Sequence, residues 1–130
     1  MNNTINLENA HHVTLPNGLR AMLCHTPEAS ESFVSMAVRA GHFYDPNDCQ
    51  GLAHLLEHML FNGTQAYPGN ELGRVLQGLG VEFGPDLNAY TTCEATVYKL
   101  RIPTTTPAAV GVAFDVLDQW ATAATIEPKA

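Results

Sequence analysis

Basic residues are scarce: six Lys and Arg stand against thirteen Asp and Glu, giving a formal charge of −7 over 130 residues. The few cations are scattered rather than lined up on one face. That excludes sequence-independent binding to nucleic-acid phosphates, which needs clustered positive charge. Charged residues are only 15% of the chain against 45% hydrophobic, and no Ser-, Gly- or Gln-rich run interrupts it, so the composition is not that of a disordered segment. No apolar run approaches the roughly 18–20 residues that cross a bilayer, so no membrane span is expected. Cysteines are few and odd in number; Cys24, Cys49 and Cys93 show no CxxC spacing, which indicates neither a disulfide framework nor a cysteine-based zinc knuckle. Free, buried thiols are the expectation. Residues 1–10 lack the basic start and apolar centre of a secretory signal, which by itself predicts a cytoplasmic protein. The length suits one modest domain or part of a larger one.

What is present divides into alternating strand and helix signals. Residues 13–15 and 19–25 flank Pro16, Asn17 and Gly18, and the Asn-Gly pair predicts a tight hairpin because both residues tolerate positive φ. Residues 33–40 read as a third strand covered on both faces, ending at Gly41. A turn-rich loop with Asp45 and Pro46 follows. Residues 52–61 carry Leu52, Leu55, Leu56, Met59 and Leu60 at helical spacing, predicting a short, mostly buried helix stopped by Asn62 and Gly63. Asn70 is a candidate N-cap for a helix over 71–79, with Leu72, Val75, Leu76 and Leu79 on one face. Strands are expected over 87–92 and 95–102, the second alternating Tyr98, Leu100 and Ile102 against Lys99 and Arg101. Pro103 and Pro107 introduce a long helix with Val110, Ala113, Phe114, Leu117, Trp120, Ala121 and Ala124 on its apolar face. The whole is α+β, a polar tail over 1–11 preceding a partial domain over 12–130.

The chemistry concentrates in His54, Glu57 and His58. At 3.6 residues per turn the two histidines sit one turn apart on one helix face, and Glu57 lies beside them. Two imidazoles in that arrangement can share one Zn²⁺, and a carboxylate that does not bind the ion can take the proton of a metal-activated water. This is the H-x-x-E-H order, the reverse of H-E-x-x-H. The bland alternative is an amphipathic helix with polar groups at its edge. Three ionisable groups packed among leucines, however, require partners. His11, His12, His25 and His42 read as ordinary surface or turn histidines.

The run GLAHLLEHMLFNGT over 51–64, YPGN over 67–70, DLNAYTT over 86–92 and EATVY over 94–98 resembles the N-terminal part of the pitrilysin/insulinase family of zinc peptidases, with FGPDLNAY over 83–90 similar to a bacterial branch of large zinc proteases. The likeness runs from about Leu15 to about Glu127. It implies a pitrilysin/processing-peptidase-like fold, with an antiparallel or mixed sheet covered by helices on one face. It further implies His54 and His58 as zinc ligands, Glu57 as general base, and Asn88, Ala89 and Tyr90 on a strand edge that pairs with an extended peptide or small protein substrate. The family's third ligand is a Glu on a later helix, roughly 75–85 residues after the second histidine, and Glu127 falls short of that position. The resemblance therefore implies an incomplete site whose remaining ligand and opposing half lie in the rest of a longer chain or in a second half-domain, with the fragment inactive alone. Members of that bacterial branch are often exported, which keeps a periplasmic location open beside the cytoplasmic one. Two alternatives stand beside it: a non-catalytic scaffold or assembly relative of the same fold, a class in which the zinc motif is degraded, and a small metal-dependent lyase that also carries H-x-x-E-H and would complete its site with Cys93.

Overall fold

The computed structural model describes residues 7–127. A 3₁₀ turn, Leu7–Asn9, leads into β1 (His11–Thr14), which pairs antiparallel with β2 (Arg20–Leu23) to form a separate two-stranded sheet. The connection is wider than a two-residue Asn-Gly turn. Leu15 N–H donates to the Leu19 carbonyl at 2.8 Å, only Gly18 takes a positive φ (89°), and the Asn17 side chain accepts from Leu19 N–H at 3.0 Å. Pro16 sets the first turn position, so the chain spends three residues where two would close an ideal hairpin.

The main sheet is three-stranded and wholly antiparallel, in the order β3 (Ser32–Val38), β5 (Thr96–Ile102), β4 (Leu87–Thr91). β5 is central, and its Thr96, Tyr98, Leu100 and Ile102 are buried on one face. That face is covered by α1 (Leu52–Leu60) and α3 (Pro107–Thr122), as expected for an α+β fold with helices on one side. Leu72 and Leu76 of α2 (Glu71–Gly78) join the same core with Val81, Ala113, Val116 and Trp120. The opposite face is open, with Lys99 lying over the Tyr90 ring at 4.7 Å and Phe33 72% exposed.

Four burial expectations are corrected. β3 is an edge strand with alternating exposure, not a strand covered on both faces, because among the described residues it pairs with β5 alone and only its Val34 and Met36 side packs on the core. In α1 the buried residues are Glu57 and Leu60, whereas Leu52, Leu55 and Leu56 are exposed; the helix turns its Glu57 side, not those three leucines, toward β4 and β5. In α3 the buried stripe is Ala109, Ala113, Val116, Leu117 and Trp120, while Phe114 and Ala121 face outward. That helix is apolar nearly all round, so spacing alone does not choose the face. The cysteines are free but all three are exposed, contrary to the expected burial. A groove of about 380 Å³ remains between sheet, α1 and α3, lined in part by Met36, Leu56, Leu60, Trp120 and Ile126.

Candidate metal centre

Three features set α1 in place. Gly51 occupies the N-cap with φ 87° and has no side chain to accept a hydrogen bond. Asp45 supplies that acceptor from outside the helix: its Oδ2 accepts from Gly51 N–H at 2.7 Å and its Oδ1 from Ala53 N–H at 2.9 Å. A carboxylate there also complements the positive end of the helix dipole. The Ala53 N–H first, then that of Gly51 and the His42 imidazole, hold the Asp45 carboxyl below its ordinary range against an opposing desolvation. At the other end Asn62 N–H donates to the Met59 carbonyl, and Gly63 turns away with φ 129°.

On this helix His54 Nε2 and His58 Nε2 face each other at 3.0 Å, and the two histidines with Glu57 offer ligand atoms all within 4.8 Å of one another. Two nitrogens each about 2.0–2.1 Å from a tetrahedral zinc lie roughly 3.3–3.4 Å apart, a small rotamer adjustment from the observed separation. The donor set, two imidazoles and a neighbouring carboxylate, therefore fits zinc. Both histidines are exposed and Glu57 is 7% exposed, so the ion would be reached from solvent while the carboxylate is held from behind.

Glu57 is held by the sheet. Its Oε2 accepts from the Thr91 hydroxyl at 2.6 Å, and Thr91 Oγ1 lies 3.3 Å from Thr96 Oγ1, which donates to the Ala40 carbonyl at 2.8 Å. Burial, and then the Glu57 charge, push the Tyr98 phenol up to about 12. Thr91 was not anticipated from the sequence, because it lies 34 residues from Glu57 and meets it only through packing of β4 on α1.

β4 runs beside α1 and, among the described residues, pairs only with β5 apart from a bridge between Phe83 and Leu87. Its other edge carries Asn88, Ala89 and Tyr90; Ala89 N–H is taken by the Asn88 side chain at 2.8 Å. The start of β4 is fixed through Asp86, whose Oδ2 accepts from Glu82 N–H at 2.8 Å and whose Oδ1 accepts from Arg101 Nε at 2.6 Å. Glu127 is exposed and, with Cys93, stands outside the His54, Glu57, His58 group. His42, read as a turn histidine, lies on the 3₁₀ turn His42–Tyr44, its ring edge-on to His54 with centroids 6.3 Å apart.

The H-x-x-E-H order on a helix with converging imidazole nitrogens is the motif of the inverted zinc peptidases. The chain belongs to the insulinase family, peptidase family M16, which matches residues 20–130. A probable zinc protease PqqL from Haemophilus influenzae is 37% identical over 122 residues, 93% of this chain and 13% of that protein. The Escherichia coli protein described in the same words is 35% identical over 114 residues, 87% of this chain and 12% of that protein. The crystal structure of the first half of the periplasmic protease PqqL from Escherichia coli superposes with a TM-score of 0.86 at 34% identity, covering 92% of this chain and 26% of that one. The chain thus spans about an eighth of the length of these curated relatives.

Proposed function

We propose that this chain is the zinc-holding segment of an endopeptidase that hydrolyses extended peptides. His54 and His58 hold Zn²⁺, which supplies Lewis acidity and a water of lowered pKa when bound. Glu57 accepts the proton of the attacking water, with Thr91 fixing one carboxylate oxygen so that the other is free for that task. The carrying observation is the 3.0 Å approach of the two Nε2 atoms beside the buried Glu57. Asn88, Ala89 and Tyr90 would offer the free β4 edge to a peptide by main-chain pairing, with the Asn88 side chain leaving Ala89 N–H as the peptide arrives.

The remainder of a longer chain or a second half-domain is the implied partner. The exposed Leu52, Leu55, Leu56 and Phe114 and the groove beside Trp120 support that reading, since an apolar surface of this extent is ordinarily covered. The distal carboxylate ligand would come from there, and the fragment alone would be inactive. The relative from Escherichia coli is described as periplasmic, which supports the periplasmic location over the cytoplasmic one. Zinc titration tests the assignment. One equivalent binds; His54→Ala and His58→Ala each lose it, while Glu57→Gln retains it, because the carboxylate is a base and not a ligand. Zinc retained by both histidine variants would reject the site and favour the scaffold alternative.

A further inference from the structure

We propose that the turn over residues 82–86 closes one end of the β4 edge and limits a paired peptide to two positions, Ala89 and Thr91. The inference rests on the peptide reading above and deepens it. The substrate it describes needs only a short extended run, with two N–H groups two residues apart and no requirement on the N–H between them.

Alternation along the strand identifies the free groups. In an antiparallel pair, residues that bond the partner strand alternate with residues that do not. Arg101 N–H donates to the Asp86 carbonyl at 2.7 Å and Thr92 N–H to that of Ala95 at 2.8 Å, which continues the register of β4 on β5 at both ends. Asp86, Asn88, Tyr90 and Thr92 therefore aim their backbone at β5, while Leu87, Ala89 and Thr91 aim theirs outward. Of Asn88, Ala89 and Tyr90, only Ala89 thus offers main-chain groups to a peptide, and Thr91 supplies the second position. Apart from the Asn88 side chain on Ala89 N–H, no described residue bonds the outward groups of these two.

Leu87 differs because its outward groups are already used. Its N–H donates to the Glu82 carbonyl at 3.2 Å and its carbonyl accepts from Gly84 N–H at 3.1 Å, so the turn occupies the place a peptide would take. Asp86 locks that turn: its N–H reaches the same Glu82 carbonyl at 3.0 Å, its Oδ2 accepts from Glu82 N–H at 2.8 Å, and Arg101 Nε holds its Oδ1. Gly84 takes a φ of 94° there, which a side chain would oppose. Asp86 is therefore a positioning residue that acts through the turn. The open end of the edge lies at the base, since the Thr91 hydroxyl donates to Glu57. At about 3.4 Å per residue the two pairing positions stand roughly 7 Å apart, and beyond Ala89 the peptide must leave the sheet.

The test uses the 130-residue chain without metal, since main-chain pairing does not need the ion, and a capped nonapeptide, Gly-Ser-Thr-Val-Phe-Ala-Thr-Ser-Gly, as probe. Two-dimensional ¹H–¹⁵N spectra follow the shifts and exchange rates of the β4 amides as the peptide is added. Ala89 and Thr91 N–H should shift and exchange more slowly, while Leu87 N–H, already bonded within the turn, stays as it was. Single N-methyl groups placed along the probe should weaken binding roughly 2- to 12-fold at two positions two residues apart, one hydrogen bond each, and leave it unchanged at the position between. Asp86→Ala, which removes the acceptor of Glu82 N–H, should bring Leu87 into the responding set, and Asp86→Asn, which keeps an acceptor oxygen, should restore the wild-type pattern. The wild-type spectra need no variant to fold. Leu87 responding together with Ala89 and Thr91 in wild type, or three alternate positions sensitive to N-methylation, would overturn the stop and leave edge pairing standing. No response at Ala89 or Thr91 would overturn both.

Discussion

Replacing Thr91 by Val keeps the shape of the side chain and removes the hydroxyl that donates to Glu57 Oε2 at 2.6 Å. A hydrogen bond to a charged group contributes about 1.5–3 kcal/mol, and a buried carboxylate left without it suffers the desolvation of that oxygen in full. Glu57 is 7% exposed, so water replaces the lost donor poorly. Thr91→Val should therefore cost about 2–3 kcal/mol, roughly 6–12 °C in Tm for a domain of this size. In a Glu57→Ala background the same change exchanges hydroxyl for methyl beside an absent acceptor, and it should cost about 0–0.5 kcal/mol. Urea unfolding of wild type, both single variants and the double variant yields a coupling of about 1.5–3 kcal/mol. Thr91→Ser, which restores the hydroxyl, should recover most of it. Coupling below about 0.5 kcal/mol would refute the claim that the sheet holds the base in place.

Raising the pH probes the core behind Glu57. Tyr98 is pushed up to about 12 by burial and by the Glu57 charge, against about 10 in the unfolded chain. Its contribution is complete below pH 10 and is lost as pH rises toward 12, up to about 2–3 kcal/mol. Tyr98→Phe should flatten that alkaline loss in urea melts, and equal losses in the two proteins would count against it. At Gly41 a Cβ would lie 2.7 Å from Ala95 N and closer still to the Thr92 carbonyl. Gly41→Ala should push the His42 turn off the end of β4 and destabilise the chain by about 2 kcal/mol or more, whereas a change within ±0.5 kcal/mol would show the contact to be soft. The isolated zinc-loaded chain should hydrolyse a quenched, unstructured peptide no faster than its Glu57→Gln variant, since an open surface neither encloses substrate nor excludes water. Turnover clearly above that variant would show the segment to be sufficient for catalysis.

Local patterns proved readable where one face of an element is strongly apolar. β5 alternates over seven residues, and the buried set Tyr98, Leu100 and Ile102 follows from that period. The His54, Glu57, His58 convergence follows from i, i+3, i+4 geometry alone. The opposite outcome for α1, whose Leu52, Leu55 and Leu56 face out while Glu57 faces in beside Leu60, shows the limit: burial is decided by what the helix meets, and here it meets the Thr91 and Thr96 hydroxyls. Ala-rich α3 offers two overlapping apolar stripes that share Ala113, Leu117 and Trp120, and only the sheet selects between them. Thr91, 34 residues from Glu57, and Asp45, eight from Ala53, act through tertiary contacts that spacing does not encode.

The account stands on one ion lying between two side chains of α1, and anomalous diffraction at the zinc edge from crystals of the zinc-loaded chain locates it directly. A single peak about 2.0–2.1 Å from both His54 Nε2 and His58 Nε2, with the Glu57 carboxylate outside bonding distance and still on Thr91, is the predicted result. A peak elsewhere, or Glu57 bound to the metal in place of a histidine, would contradict it.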